Sequence, residues 1–138
     1  MQKEIIIKSK TRGFHLITDE VLRTLPEISE FDVGILHLFI KHTSASLSIS
    51  ENADPTVRHD LETYFNRSVP EEMSLYRHTS EGPDDMTSHI KNVIIGSSLT
   101  IPITNGRLNL GTWQGIYLCE HRNYARNRTI LATIIGGK

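Results

Sequence analysis

The sequence contains little cysteine, no long apolar run and no excess of positive charge. Its 138 residues include one cysteine, Cys119, so no disulfide can form within the chain, which fits a reducing compartment. The N-terminal stretch MQKEIIIKSK has only the run Ile5–Ile7, which is too short for a signal peptide or a membrane span. A cytoplasmic protein that does not bind membranes is therefore predicted.

The charge balance and the missing motifs exclude further classes of function. The formal net charge is −1, whereas general nucleic-acid-binding proteins usually carry a basic excess. No GxGxxG, P-loop, HExxH or paired CxxC motif occurs, so standard nucleotide, zincin and structural-zinc sites lose support. With 38% hydrophobic and 22% charged residues, the chain is typical of a globular protein. Its length suits one domain over residues 1–138.

The residue pattern predicts an α+β domain of mainly antiparallel, curved sheets with two main helices. Strands are predicted at residues 3–9, 33–41, 46–50, 98–104, 107–120 and 128–135. Helices are predicted at residues 18–25, 54–66 and 84–95. Asp54 before Pro55 is a helix-start signal, and Asn105-Gly106 is a hairpin-turn signal. Two apolar helix faces are predicted to point to the core: Val57, Leu61, Tyr64 and Phe65, and then Met86, Ile90, Val93 and Ile94.

The stretch HTSASLSISENADP stops supplying apolar residues where a buried strand should continue. If the strand stays extended past Lys41, then His42, Ser44 and Ser46 point to one face. An imidazole and two hydroxyls on one surface suit a metal or anion site. A polar turn with a satisfied histidine explains the same residues, and spacing alone does not separate the two interpretations.

The helix predicted from Asp84 carries a second polar group. Asp85, His89 and Asn92 stand at i, i+4 and i+7, so they share one helix face. A carboxylate and an imidazole at this spacing can bind one metal ion, or the carboxylate can orient the histidine as a general acid or base. A surface ion pair or a helix-start acid is the remaining explanation.

The segment GTWQGIYLCEHR offers hydrogen-bonding groups from Thr112 and Gln114. A sheet with a bulge and a packed tryptophan is the commoner reason for such a pattern. Cys119 lies in an apolar strand and is interpreted as a core thiol. His37 is expected to be a core or interface residue, while His15 and His78 fall in loops without a partner in the sequence.

Several motifs in the same order resemble the YjbQ-like family, an uncharacterised protein family. They are KSKTRGFHLITDEV, HTSASLSISENADPTVRHDLE, DDMTSHIK and NGRLNLGTWQGIYLCEHR, and together they span nearly the whole chain. The resemblance implies a small α+β fold that assembles as a homotrimer with sites near subunit boundaries. By motif, His42 corresponds to the histidine of HTSA, Asp85 and His89 to those of DDxxxH, and Gly111 to Gln114 to GTWQ.

The resemblance also implies a secondary thiamine-phosphate synthase activity, that is, a side activity distinct from the physiological role. That reaction joins a pyrimidine pyrophosphate to a thiazole phosphate and releases pyrophosphate. His42, Asp85 and His89 are the predicted catalytic residues and metal ligands. Phosphate-binding groups are predicted from the remaining polar candidates: Ser44, Ser46, Thr112, Gln114 and Arg128. A metal-dependent hydrolase of a phosphorylated small molecule and a non-catalytic metal- or anion-binding trimer are the alternatives.

The identity of the predicted divalent metal is open between zinc and magnesium. Two imidazoles suit zinc or another transition metal, whereas magnesium prefers oxygen ligands and would enter with the pyrophosphate. Alternatively, the histidines perform acid–base chemistry and hold no metal.

Overall fold

The computed structural model describes residues 1–137, whose strands form two antiparallel sheets. The five-stranded sheet has the order β1 (Gln2–Ile7), β8 (Arg128–Gly137), β3 (Val33–Ile40), β5 (Ser98–Thr104) and β6 (Arg107–Leu108). The three-stranded sheet has the order β2 (Gly13–Leu16), β7 (Gln114–Glu120) and β4 (Ala45–Glu51). This arrangement confirms the predicted α+β class with antiparallel sheets.

Three α-helices accompany the sheets in residues 1–137. They are α1 (Thr18–Thr24), α2 (Pro55–Ser68) and α3 (Asp85–Ile95), and short 3-10 helices lie at Pro26–Glu30 and Met73–Leu75. Within the same residues, no helix is both long enough and apolar enough to cross a membrane.

Strand β7 is buried on both faces. Its side chains point alternately to opposite sides of the sheet, and every residue from Gly115 to Glu120 is buried. Ile116 and Leu118 join the main core between the two sheets. Tyr117 and Cys119 face the other way, where they form a smaller cluster with Phe14 that packs against residues of α2. The three-stranded sheet is therefore the middle layer, between the five-stranded sheet and the helices α2 and α3.

Several predicted boundaries were wrong, although most predicted elements are present. The first strand ends at Ile7, and the unpredicted strand β2 follows it, while the strand expected over residues 107–120 is broken into β6 and β7. Strand β3 ends at Ile40, so the alternation assumed for residues 42–46 does not hold. The chain turns between β3 and β4, because these strands belong to different sheets.

The prediction that the apolar face of α3 points to the core was also wrong near the C-terminus of the helix. Val93 is 81% exposed and Ile94 is 58% exposed, whereas the buried residues of α3 are Asp85, Thr87, Ser88 and Lys91. Polar contacts set this orientation. Nδ2 of the Asn92 side chain donates to the carbonyl of Ala45 at 2.7 Å, and Lys91 Nζ donates to Asn66 Oδ1 at 2.9 Å, so the polar side faces the protein. On α2, Tyr64 is 64% exposed and likewise does not join the core.

Removal of the α2 N-cap is expected to lower the melting temperature. Asp54 Oδ1 accepts hydrogen bonds from the Thr56 amide at 2.9 Å and the Thr56 hydroxyl at 2.8 Å. Asp54→Ala leaves that amide without its side-chain acceptor, so thermal unfolding monitored by circular dichroism should shift down by a few degrees. Asp60→Ala is the matched control, because Asp60 lies exposed on the same helix and its hydrogen-bond partner is the exposed neighbour His59. Equal melting temperatures for the two variants would contradict the capping role.

Candidate functional site

Three titratable side chains converge at the N-terminus of α3. His78 Nε2 lies 2.7 Å from Asp85 Oδ2, and His89 Nε2 lies 3.2 Å from the same oxygen. The three candidate ligand atoms are all within 4.8 Å of one another, and no other group of this kind occurs in residues 1–137. Asp85 is buried, His89 is half-buried and His78 is exposed, so the cluster opens to solvent on the His78 side.

His89 is held in one tautomer by the main chain. Its Nδ1 lies 2.8 Å from the carbonyl oxygen of Thr43, and a carbonyl can only accept, so Nδ1 carries a proton. In a neutral ring, Nε2 then presents a lone pair to the Asp85 carboxylate at 3.2 Å, which is repulsive. The contact becomes favourable when Nε2 is also protonated or when a cation lies between the two atoms. A cation bound between Nε2 of His89 and the Asp85 carboxylate would therefore relieve this repulsion.

Asp85 has partners at both carboxylate oxygens. Oδ1 accepts from Arg122, whose Nε also donates to Asp84 at 2.9 Å, and Oδ2 faces the two histidines. Burial alone would raise the pKa of Asp85, but the hydrogen bond from His78 and the charges of His89 and Arg122 outweigh it and hold the pKa below its ordinary value. Asp85 is thus kept as a carboxylate, the form that binds cations.

His42 is not one of the three members of this cluster, although the next residue, Thr43, contacts His89. Its Nε2 accepts a hydrogen bond from the Thr129 amide at 2.8 Å, so this nitrogen is engaged with the main chain. Burial, followed by the charge of Arg128, lowers the pKa of His42, which favours the neutral ring that accepts this bond. His78 takes the place that the sequence assigned to His42.

Ser46 is fully buried and its hydroxyl lies 2.9 Å from Nε2 of His121. Burial, with the charges of Lys91, Arg12 and Arg128, lowers the pKa of His121 to about 3, so the ring is neutral in this buried pair. Ser44 is half-buried, and its carbonyl accepts from the His121 amide at 3.3 Å. His42, Ser44 and Ser46 consequently do not line one surface, because β3 ends before them.

Arg128 is bound to a buried acid. Its Nε donates to Glu120 Oε1 at 2.7 Å and its Nη2 to Glu120 Oε2 at 2.5 Å, and Glu120 is fully buried. Nη2 also donates to the carbonyl of Ser44 at 3.3 Å. The predicted phosphate-binding arginine therefore forms an internal ion pair that fastens β8 to β7 and to the start of β4.

The comparisons with known proteins agree with this fold. The family model described as "UPF0047 protein YjbQ-like" matches residues 3–137. The chain belongs to this family. It is 51% identical to the UPF0047 protein YjbQ of Escherichia coli O157:H7 over 135 residues, covering 98% of this chain and 97% of that protein. It is 39% identical to the UPF0047 protein YugU of Bacillus subtilis strain 168 over 137 residues, covering 99% and 100%.

Solved structures of the YjbQ family share the architecture. A crystal structure of an uncharacterized conserved YjbQ/UPF0047 protein from Clostridium acetobutylicum is 33% identical, has a TM-score of 0.82 and covers 96% of this chain and 99% of that one. A protein of unknown function from Sulfolobus solfataricus P2 is similar in fold, with a TM-score of 0.87 at 23% identity over 99% of this chain and 96% of that one. The relatives' names state the family and no reaction.

In this YjbQ-family chain, Thr112 and Gln114 lie away from the histidine cluster. Both are exposed, and Nδ2 of the Asn52 side chain donates to their carbonyl oxygens at 3.1 and 3.2 Å. Antiparallel pairing places Gln114 opposite Glu51 and Glu120 opposite Ala45. The six residue steps along β7 separate the two ends by about 20 Å. Within one chain, the GTWQ segment of the family therefore does not reach Asp85.

Sequence reasoning missed His78 as a member of the site. It lies in the irregular segment between Met73–Leu75 and α3, where no helical or strand spacing relates it to Asp85. Gly82 has a φ of 103°, a left-handed conformation that favours glycine, in the stretch that brings the chain round to α3. The only local signal was a histidine, a Gly-Pro pair and three acids in HTSEGPDD, which does not specify a contact.

Proposed function

We propose that His78, Asp85 and His89 bind a divalent transition metal at the centre of an enzyme for phosphorylated small molecules. Thiamine-phosphate formation, implied by the family resemblance, is the reaction proposed for measurement. The observation that carries the proposal is the short distance between His89 Nε2 and the Asp85 carboxylate while His89 Nδ1 is committed to Thr43. That arrangement favours a cation at the point where the three side chains meet.

The donor set fits zinc better than magnesium. Two imidazole nitrogens and one carboxylate oxygen are common zinc ligands, whereas magnesium selects oxygen. The Thr43 carbonyl on the far nitrogen of His89 is the kind of outer contact that orients metal-binding histidines. Three protein ligands leave coordination positions open, as catalytic zinc sites do.

A bound metal would supply charge stabilisation to the departing pyrophosphate. The chain's own residues prepare the site for an anion. Arg122 neutralises part of the charge of Asp84 and Asp85. Arg77 is exposed immediately before His78 and can offer positive charge to a phosphate group. Ser44 is the remaining candidate from the predicted phosphate-binding set near the site, because Ser46 and Arg128 are bonded internally.

The decisive experiment compares metal-free and metal-loaded protein purified from a host that lacks its dedicated thiamine-phosphate synthase. Chelator-treated protein should be inactive, and zinc should restore thiamine-phosphate formation from the two substrates more effectively than magnesium. His89→Ala should abolish the restored activity, whereas His59→Ala should not, because His59 is exposed on α2. No product with zinc, manganese or magnesium would refute the synthase proposal.

A metal-dependent hydrolase is the second candidate, favoured by the open side of the cluster at the exposed His78. Water would then take the place of the thiazole phosphate as the attacking group. Phosphate release from the pyrimidine pyrophosphate or from a panel of phosphate esters, without a second substrate, would favour this reaction. Tight zinc binding with no turnover of either kind would favour the non-catalytic binding protein.

We also propose that the chain forms a homotrimer. The outer face of the five-stranded sheet exposes Val33, Ile35 and Phe39 from β3, and Ile135 lies opposite Ile35 on β8. An apolar sheet face of this kind is typical of surfaces that bind another protein. Light scattering of the purified protein should give three times the chain mass, and a monomer at micromolar concentration would refute the proposal.

A further inference from the structure

The turn between β3 and β4 is fixed by hydrogen bonds at successive residues. In this 41–44 turn, the Lys41 amide donates to the Thr129 carbonyl at 3.0 Å, and the Thr129 amide donates to His42 Nε2 at 2.8 Å. The Thr43 carbonyl accepts from His89 Nδ1 at 2.8 Å. Immediately after the turn, the Ala45 carbonyl accepts from Nδ2 of the Asn92 side chain at 2.7 Å.

The His42 ring replaces a main-chain acceptor. The register of β3 and β8 pairs Ile40 with Ile130, so Lys41 would pair with Thr129 if the strand continued. In an antiparallel pair, the two residues of a hydrogen-bonded pair exchange both bonds. Here one bond is present, from Lys41 to Thr129, but the Thr129 amide donates to the His42 ring instead of the Lys41 carbonyl. The main chain can therefore leave the sheet while the Thr129 amide keeps a hydrogen-bond acceptor.

We infer that His42 and Asn92 are positioning residues that act on His89 through the carbonyl of Thr43. His42 fixes the entry of the 41–44 turn on β8, and Asn92 fixes its exit on α3, the helix that also carries His89. The Thr43 carbonyl lies between these two anchors and holds His89 Nδ1 as a donor. Nε2 is thereby turned toward Asp85.

This inference rests on the proposed metal centre, and it assigns His42 a role different from that of a ligand. A metal-bound histidine needs its other ring nitrogen anchored, and loss of such an anchor typically weakens metal binding about 10–100-fold. A turn that loses one of its anchors lets the Thr43 carbonyl move. His89 can then adopt the other tautomer, with the proton on Nε2, which can donate to Asp85 directly.

The test uses nuclear magnetic resonance on the metal-free full chain and zinc titration of the same samples. Long-range proton–nitrogen spectra at about pH 8.5, where an imidazole is ordinarily neutral, report which ring nitrogen carries the proton. His89 is assigned from the signal that disappears in His89→Ala. Wild type should show the proton on Nδ1, and His42→Leu and Asn92→Ala should each shift the population toward Nε2. The same variants should bind zinc about 10–100-fold more weakly.

His42→Gln is the rescue variant, because its side-chain carbonyl can accept from the Thr129 amide in place of the ring. It should keep the wild-type tautomer and bind zinc within about threefold of wild type, as should the exposed control His59→Ala. A folded His42→Leu with unchanged tautomer and zinc affinity would overturn the inference, as would a His42→Gln as weak as His42→Leu. If His42→Leu does not fold, Asn92→Ala decides the question in the same way. If wild type binds no zinc, the proposed metal centre fails, whereas the tautomer comparison still tests the turn.

Discussion

Glu120→Leu is expected to lower the free energy of unfolding by about 3–5 kcal/mol, the usual cost of leaving a buried charge without its partner. Glu120 is fully buried and accepts two hydrogen bonds from Arg128, which is itself buried. The leucine removes both acceptors, and the guanidinium then keeps only the weaker contact with the Ser44 carbonyl at 3.3 Å. Urea unfolding followed by circular dichroism measures the change.

The double variant Glu120→Leu/Arg128→Met separates the loss of a partner from the value of the pair. Replacing both ions with apolar residues removes the uncompensated charge, so the double variant should be more stable than Glu120→Leu alone. Glu4→Gln is the surface control, because Glu4 pairs with Lys41 at 3.6 Å and both side chains are more than half exposed. It should change the free energy of unfolding by less than about 1 kcal/mol. A Glu120→Leu variant as stable as Glu4→Gln would show that loss of the Glu120–Arg128 pair does not lower the free energy of unfolding as expected.

Asp85→Asn is expected to weaken zinc binding by at least about 100-fold, more than the loss of an outer contact would. The amide removes the negative charge that both histidines and Arg122 face. Competition with a chromophoric chelator measures the affinity. The effect should be much larger than that of Asn92→Ala.

Asp60→Asn serves as the matched control, since Asp60 is an exposed aspartate whose hydrogen-bond partner is His59. Its zinc affinity should equal that of wild type. Asp85→Asn with an unchanged affinity and an intact circular dichroism spectrum would exclude Asp85 as a ligand. It would thereby remove the metal centre as the basis of the proposed reaction.

Local sequence spacing was sufficient to predict part of the site. Asp85 and His89 share a face because four residues complete about one helical turn, and their nearest polar atoms lie 3.2 Å apart. Asp54 was predicted as a cap from the proline that follows it, and its side chain does accept from the Thr56 amide. These contacts depend only on neighbours along the chain.

Contacts between distant segments were not available to the same reasoning. His78 reaches Asp85 through an irregular segment, and His121 meets Ser46 because β4 and β7 are neighbours in the second sheet. The orientation of α3 about its axis also depends on distant residues, because the 41–44 turn and Asn66 accept hydrogen bonds from its polar side. The spacing of apolar residues predicted that Val93 and Ile94 face the core, whereas the polar contacts turn the opposite side of the helix toward the protein.

The position of β7 between two packed layers has a consequence for hydrogen exchange. Its neighbours β2 and β4 hold it on both edges, and cores cover both of its faces, so no local fluctuation can expose Tyr117 or Leu118 alone. Their amides should exchange with deuterium only when the whole fold opens, whereas amides of the 41–44 turn should exchange through smaller openings. The slowest amides of β7 therefore report the global free energy of unfolding without any denaturant.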